Sequence, residues 1–253
     1  MTDNRYARPT DPATAPDPGS SASRQPPPVS ATPTPAVGDG SVLVSAVTVR
    51  YGAVTAIAQV DLLVAPGTFL ALTGPSGAGK STLLWAIAGA VRPETGQVVV
   101  RGRRISDRQT GIQADVTLIP QGNGLTGVLT AYENIVFPLL SNGVPPAAAG
   151  TRASSSLVDV GLAESGNHLV EELSGGQQQR VAVARSLATH ADVLLADEPT
   201  SELDHANRGL VLELLRDAAH RGAVVVMATH DPEAAAVADG EVRFDEGRLT
   251  TVR

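Results

Sequence analysis

A glycine-rich run that ends in a single lysine is the first feature of this sequence whose residue types and spacing suit chemistry. Glycines let a backbone curl so that successive N–H groups point at one anion, and a helix that begins there adds its positive dipole end. The spacing matches the P-loop pattern, and the run lies between an apolar segment and a helical one. The residues expected to contact a nucleotide here are Gly74, Pro75, Ser76, Gly77, Ala78, Gly79, Lys80, Ser81 and Thr82.

Lys80 is the only lysine among 19 basic residues, and the rest are arginine. A lysine is required where a compact ammonium on a flexible stem works better than the broad guanidinium fork. We expect Lys80 to reach the β- and γ-phosphates and the Ser81 hydroxyl to ligate Mg²⁺. The motif predicts a nucleoside triphosphatase without naming its kind, and a glycine turn without a ligand is the alternative.

Two adjacent carboxylates follow the apolar run Val193–Ala196. A phosphate-bound Mg²⁺ needs a carboxylate at the end of a neighbouring strand, and Asp197 fits this Walker-B position, where it would hold the metal largely through water. Glu198 would polarise the water that attacks the γ-phosphate. The alternative is that both acids only cap the following segment.

The run Leu173-Ser174-Gly175-Gly176-Gln177 resembles the signature of ABC-transporter ATPases. A serine and two glycine amides at a helix N-terminus can grip a phosphate that no side chain blocks. In isolation the run would suit an ordinary serine-capped helix start. The resemblance implies that Ser174, Gly175, Gly176 and Gln177 contact ATP held by the opposite subunit.

Four further residues occur along the chain in the same order as the corresponding residues of this family. The resemblance implies that Tyr51 stacks on adenine, that Gln121 senses Mg²⁺, that Asp204 contacts the other subunit, and that His230 contacts the γ-phosphate. By themselves, a tyrosine after a strand and a histidine after an apolar run are more typical of packing or of an exposed loop. The expected catalytic residues are Glu198, His230, Lys80 and Gln121. The expected metal ligands are Ser81, Gln121 and Asp197.

Short apolar runs alternate with helical runs from Ser41 onward, which predicts an α/β core with a mainly parallel sheet. The predicted strands are Val42–Arg50, Val54–Val64, Thr68–Thr73, Gln97–Val100, Asp115–Ile119, Val193–Ala196 and Ala223–Ala228. The predicted helices are Ser81–Ala90, Thr130–Leu140, Gly175–Thr189 and Ala206–Arg221. The resemblance covers about residues 42–248. It implies a P-loop NTPase core, an N-terminal antiparallel β-subdomain and an inserted helical subdomain at about 122–185.

Residues 1–40 differ in composition from the predicted ATP-binding domain, 41–253. They hold nine of the 18 prolines and no Leu, Ile, Phe or Trp. Such a segment cannot bury enough apolar surface to offset the entropy of ordering it, so we expect a disordered tail. A docking or regulatory arm is the alternative.

Charge and hydropathy exclude several classes of partner and location. A net charge of −7 offers no clustered basic surface for nucleic acid. The sequence contains no apolar run of about 18 residues, which a membrane-spanning helix needs. It has no cysteine, and its polar N-terminus lacks the apolar core of a secretory signal. We expect a cytoplasmic protein that reaches the inner face of the cell membrane through its partner.

The resemblance implies an ATPase that converts ATP and water to ADP and phosphate. Two copies would dimerise around two ATP and drive a separate membrane permease that contacts residues 122–140. Three short runs resemble the branch of lipoprotein-release, macrolide-export and cell-division ATPases. They are Leu129-Thr130, Glu133-Asn134 and Phe137-Pro138-Leu139. The transported substrate and the direction of transport are not predicted, because in this family the membrane partner or a binding protein selects the substrate.

Proteins with this type of ATP-binding domain also have functions other than transport. Ribosome-acting members carry two such domains in one chain, whereas this sequence shows one. Chromosome-maintenance relatives insert long coiled coils between the P-loop and the signature, whereas only 94 residues separate Lys80 from Ser174 here, so both alternatives are disfavoured. A cell-division-type regulator that pulls on a membrane protein stays open. A module that binds ATP without turnover would have lost Glu198 or His230, and both are present. The departures from the family pattern are Glu202, where Ala or Asn is commoner, and Pro120, where a bulky apolar residue is usual.

Overall fold

Residues 40–253 are described by the computed structural model, and they build two β-sheets with helices packed on them. The strands are β1 Val42–Tyr51, β2 Val54–Val64, β3 Phe69–Thr73, β4 Thr95–Val100, β5 Arg103–Ile105, β6 Val116–Ile119, β7 Val193–Asp197, β8 Val224–Ala228, β9 Gly240–Asp245 and β10 Arg248–Thr251. The helices are α1 Lys80–Ile87, α2 Arg108–Gln113, α3 Ala131–Ser141, α4 Pro146–Asp159, α5 Gly175–Leu187, α6 His205–His220 and α7 Pro232–Ala236. Residues 1–39 of the predicted tail lie outside the described residues.

The smaller sheet is antiparallel and has the strand order β2-β1-β4-β5. Its two longest strands, β1 and β2, form a hairpin in which Tyr51 pairs with Val54. The sequence predicted both of these strands within one residue. It missed β5, which is three residues long and contains two arginines, so it carries little strand signal.

The larger sheet has the order β10-β9-β3-β8-β7-β6. Five neighbouring strands run parallel, namely β9, β3, β8, β7 and β6. Strand β10 lies at the edge of the sheet and is antiparallel to β9. Every residue of β3, β7 and β8 is buried, as the continuous apolar runs in the sequence indicated. Both faces of the sheet are covered, since Leu194 and Ala196 join one core and Val193 and Leu195 the other. The predicted α/β architecture is confirmed.

Helix α1 packs against both sheets. This packing fixes the position of the glycine-rich run that precedes the helix. On the opposite side, α3, α4 and α5 pack against one another between β6 and β7 in the chain. The sequence did not predict α4, because its buried face is built from the small residues Ala149, Ala153 and Ser156 with Leu157 alone supplying a large side chain. The boundaries of the helical subdomain stay a prediction.

None of the helices in the described part of the chain combines the length and the apolar character that a membrane crossing requires.

Candidate functional site

The glycine-rich run forms the connection between β3, which ends at Thr73, and α1, which begins at Lys80, one residue before its predicted start. Gly79 lies at the helix N-cap with a left-handed φ of 114°. The Lys80 ammonium folds back over the loop and donates hydrogen bonds to the carbonyls of Gly74, at 2.8 Å, and Pro75, at 3.0 Å. The carbonyls of the loop therefore surround the buried ammonium of Lys80.

Two of these glycines are required by close packing as well as by backbone conformation. Gly74 has φ 135°, and a Cβ there would lie 2.2 Å from the carbonyl oxygen of Phe244. At Gly79 a Cβ would lie 2.4 Å from the carbonyl oxygen of Ala56. Any other residue at either position would force the backbone of β9 or β2 to move.

A cavity of about 410 Å³ opens in front of this loop. Its walls come from the loop, from the start of α1, and from the segments that follow β6, β7 and β8. The lining residues are Ala56, Ser76, Gly77, Gly79, Lys80, Ser81, Thr82, Gln121, Asp197, Glu198, Ser201 and His230. The carboxyl ends of adjacent parallel strands thus converge on the helix N-terminus, which is where α/β sheets bind ligands.

A larger groove of about 830 Å³ lies over the antiparallel sheet beside β10. Three of its polar side chains are already hydrogen-bonded within the protein: Arg50 Nε donates to Thr55 Oγ1 at 3.0 Å, and Asp61 Oδ1 accepts from the Ala46 amide at 2.8 Å. We place the functional site in the smaller cavity, where a lysine, two carboxylates and a histidine converge.

Asp197 is the last residue of β7 and is almost completely buried, with 1% of its surface exposed. Burial raises the pKa of its carboxyl, and the adjacent Glu198 acts in the same direction, while the Ser81 hydroxyl and the Lys80 ammonium oppose the rise. Its Oδ2 atom is buried without a hydrogen-bond partner. A buried carboxylate oxygen without a partner costs free energy unless a bound group satisfies it.

These residues fit a magnesium ion. Asp197 offers the unpartnered oxygen, Ser81 a hydroxyl and Gln121 an amide, and all three line the same cavity. Mg²⁺ prefers oxygen ligands and is commonly held by one or two protein groups together with substrate phosphates and water. Within residues 40–253 no cluster of three or more His, Cys, Asp or Glu forms a metal site of its own.

Glu198 and His230 meet at the mouth of the cavity, with Oε1 of Glu198 2.8 Å from Nδ1 of His230. The Glu198 side chain is mostly buried, whereas 69% of the His230 side chain is exposed. Glu198 has a left-handed φ of 51°, which is costly for a residue with a long side chain. Its amide donates to the Ala228 carbonyl at 2.9 Å, so β8 holds it in this conformation.

The Ser-Gly-Gly-Gln run lies at the N-terminus of α5, outside the lining of the cavity. Ser174 is the N-cap, and a reciprocal capping box joins it to Gln177. The first two helical residues, Gly175 and Gly176, face the turn that carries Glu202. A Cβ on Gly175 would lie 2.7 Å from Oε2 of Glu202. The carboxylate of Glu202 thus covers the start of this helix.

Asp204 caps the next helix, α6, and accepts from the Asn207 amide at 2.9 Å. Hydrogen bonding by the Asn207 backbone is the main reason that the pKa of Asp204 is lowered, and Arg180 of α5 contributes electrostatically. Asp204 and the run at the start of α5 therefore lie on neighbouring elements.

The family model for ABC transporter proteins matches residues 57–201, which is more than half of the chain. The chain belongs to the ABC transporter family. As predicted, it is similar to lipoprotein-release ATPases: it is 45% identical over 210 residues to the lipoprotein-releasing system ATP-binding protein LolD of Roseobacter denitrificans, covering 80% of this chain and 92% of LolD. It is an ABC-type ATP-binding subunit.

An importer subunit is also similar. The Fe(3+) ions import ATP-binding protein FbpC of Agrobacterium fabrum is 41% identical over 212 residues, which cover 83% of this chain. The chain spans only 60% of the length of that FbpC. Identity at this level therefore does not separate import from export.

Among solved structures, the ABC cassette resembles a dimeric post-hydrolysis state of the ATP-binding cassette MJ0796 bound to ADP and Pi. The TM-score is 0.77 at 30% identity, with 84% of this chain and 99% of that chain covered. The predicted P-loop core with an antiparallel β-subdomain and a helical subdomain is the fold that the two proteins share.

The structure of this ABC cassette brings some of the predicted residues together and leaves others apart. Most of the P-loop, Gln121, Asp197, Glu198 and His230 line one cavity. Tyr51 lies at the end of β1 with 47% of its surface exposed and is not part of the lining. Sequence reasoning missed Ala56 and Ser201. The sequence carried a signal for Ser201, since it follows Glu198 by three residues. In the structure its hydroxyl donates to the Glu198 carbonyl at 3.1 Å.

Proposed function

We propose that the chain binds Mg²⁺–ATP in the P-loop cavity and hydrolyses it to ADP and phosphate to drive a separate membrane permease. The 2.8 Å contact between Glu198 and His230, beside the buried Asp197, carries this proposal. A carboxylate oriented by a second polar group at the mouth of a phosphate-binding loop is the arrangement that a water-activating base requires.

Each residue has a distinct task in this proposal. Glu198 accepts the proton of the attacking water, and His230 orients the Glu198 carboxylate and contacts the γ-phosphate. Lys80 exchanges its two loop carbonyls for phosphate oxygens and stabilises the charge that develops on them. Asp197, Ser81 and Gln121 hold Mg²⁺. When bound, that ion supplies charge neutralisation to the phosphates.

A second copy of the chain completes the site. Ser174, Gly175, Gly176 and Gln177 would contact the ATP held by the partner, since free backbone amides at a helix N-terminus suit a phosphate. Asp204 would contact the partner across the same interface, and Tyr51 would stack on the adenine. The dimeric state of the similar cassette MJ0796 supports this arrangement.

The permease would dock on the segment 122–140. Three apolar side chains of this segment are exposed, namely Val128 at 73%, Phe137 at 44% and Leu140 at 38%. Phe137 and Leu140 lie three residues apart on α3, and Val128 lies in the turn before that helix. Exposed apolar side chains close together in the chain favour a protein contact. Through this contact the cassette would lie in the cytoplasm on the inner face of the membrane. The similarity to LolD supports transport as the use of the energy rather than the regulation of a cell-division protein.

ATP hydrolysis by the purified chain tests the proposal directly. We expect phosphate release with Mg²⁺ and none with EDTA, and Lys80→Ala should abolish it because the buried ammonium is lost. A wild-type chain that binds ATP, dimerises with it and never releases phosphate, alone or with its permease, would contradict hydrolysis. Co-purification with the membrane partner then separates a permease from a regulated membrane protein that has no substrate pathway.

A further inference from the structure

The turn that follows Gln121 has an unusual backbone. Gly122, Asn123 and Gly124 are three successive residues with left-handed φ values of 82°, 65° and 58°. Only glycine adopts this region freely, and asparagine tolerates it better than most other residues. The Gly124 amide donates back to the Gly122 carbonyl at 2.7 Å, which tightens the turn. Asn123 is therefore the strained member of the three, and its conformation persists only if the surrounding structure holds it.

Arg185 is the side chain that holds this turn. Its Nη1 donates to the Gly124 carbonyl at 2.7 Å and its Nη2 donates to the Asn123 carbonyl at 2.9 Å. Two neighbouring carbonyls are thus held by the two prongs of one guanidinium fork, which a lysine ammonium does not reproduce. No carboxylate forms an ion pair with Arg185 within the described residues, so the two carbonyls are its charge-stabilising partners.

Burial shows that this contact is more than a surface hydrogen bond. Asn123 is 7% exposed, and its side-chain oxygen is buried without a partner. Burial also lowers the pKa of Arg185. A partly desolvated guanidinium gains more from a carbonyl than an exposed one does, because water no longer competes for its N–H groups.

Arg185 also lies on a functionally placed element. It belongs to the last turn of α5, the helix whose N-terminus carries the signature residues Ser174 and Gly175. A helix rises about 1.5 Å per residue, so Arg185 is about 15 Å along the axis from Gly175. One helix therefore joins the signature residues to the turn that follows Gln121.

We propose that Arg185 is a positioning residue that holds Gln121 in the nucleotide cavity and links its placement to the signature helix. The proposal rests on the proposed ATP hydrolysis for its consequence, but the positioning itself does not require turnover. The competing explanation is that Arg185 only fastens α5 to a loop and has no effect through Gln121.

Hydrogen–deuterium exchange without nucleotide tests the positioning. Arg185→Gln should speed amide exchange in residues 121–126 and leave the P-loop peptides unchanged. The matched control is Arg216→Gln, because Arg216 donates to the backbone carbonyl of Val237 at 2.6 Å and neither residue lines the cavity. Unchanged exchange at 121–126 in Arg185→Gln would overturn the proposal whether or not the chain hydrolyses ATP.

A double-mutant cycle tests the action through Gln121. We expect Arg185→Gln to lower kcat about tenfold to a hundredfold with a smaller change in KM, since misplacement by about 1 Å has effects of this size. In the Gln121→Ala background the same substitution should have little further effect, because coupled residues are not additive. If the two substitutions instead lower kcat by independent factors that multiply in the double variant, the role of Arg185 is merely structural.

A second variant and a second measurement extend the double-mutant cycle. If Arg185→Gln does not fold, Arg185→Lys replaces it and should lower kcat by a smaller factor, because it keeps the charge and loses the second prong. If the wild type shows no turnover, alone or with its permease, the proposed hydrolysis fails, and the cycle is read instead from the ratio of ATP affinity with Mg²⁺ to that with EDTA.

Discussion

Nδ1 of His230 lies 2.8 Å from Oε1 of Glu198, although 32 residues separate them in sequence. The contact exists because β7 and β8 are adjacent parallel strands, so the residues that follow them meet at one edge of the sheet. The left-handed φ of Glu198 directs its side chain across this edge. The pair therefore depends on both the strand order and a strained backbone position.

Substitution of Glu198 by glutamine should separate binding from turnover. We expect Glu198→Gln to keep ATP affinity, because size and hydrogen bonding are conserved, and to lower kcat about 10²- to 10⁴-fold, the usual contribution of a general base. With ATP present, this variant should then accumulate as a dimer, which size-exclusion chromatography detects. Turnover at the wild-type rate would contradict the role of Glu198.

Alanine at two P-loop glycines should have unequal effects on folding. Gly74→Ala places a Cβ 2.2 Å from a backbone oxygen, so we expect a loss of about 2 kcal/mol or more in the free energy of unfolding. Gly77 also has a left-handed φ, of 78°, but no atom within 4 Å of its Cβ position, so Gly77→Ala should lose only about 1 kcal/mol. Urea denaturation without nucleotide measures both. Equal losses would contradict the steric argument.

Acid should remove the stabilisation that Asp107 gives to α2. Its carboxylate accepts from the Thr110 amide at 2.9 Å, and this bond is the main reason that the pKa of Asp107 lies below the usual 3.8. A lowered pKa stabilises the fold above the unfolded-state pKa, and this stabilisation is lost as pH falls through the folded-state value. Asp107→Asn keeps a cap but does not titrate.

Urea midpoints of the wild type and Asp107→Asn, measured from pH 7 to pH 3, should therefore converge in acid. A difference that is constant over this range would show that the charge of Asp107 does not act on stability.

Asn134 should be essential for the segment that carries the exposed Val128. It is buried, accepts from the Thr126 amide at 2.8 Å, and donates to three backbone carbonyls. Asn134→Ala leaves these groups without partners, which should lower the free energy of unfolding by about 1–3 kcal/mol. The control is Asn142→Ala, since Asn142 is exposed at the end of α3. Thermal denaturation compares them, and equal stability of the two variants would refute the prediction.

Removal of the Glu202 charge should favour the ATP-bound dimer. The carboxylate covers the start of α5, where the phosphate of a partner's ATP would approach, and like charges repel at this helix N-terminus. We expect Glu202→Ala and Glu202→Gln to lower the ATP concentration for half-maximal dimerisation by about twofold to fivefold. Analytical ultracentrifugation in the Glu198→Gln background measures it, and a higher concentration requirement would contradict the argument.

Local chemistry was predictable from the sequence to a large extent. Lys80, Asp197 and Glu198 were predicted as site residues because a phosphate loop and a metal-binding strand end each need fixed residue types within a few positions, and all three line one cavity. The central strands of the larger sheet were also predicted, because β3, β7 and β8 are continuous apolar runs. Short or small-residue elements such as β5 and α4 were missed, because neither shows a clear apolar period.

The sequence by itself determined the class of this protein, since the motifs that bind phosphate and the runs that form buried strands are local patterns. Only the tertiary structure decided which distant residues meet: Glu198 with His230, Arg185 with the turn after Gln121, and Glu202 with Gly175. The physical reason is that residue pattern specifies the type of an element, whereas strand order and helix placement are set by packing both faces of the sheet at once.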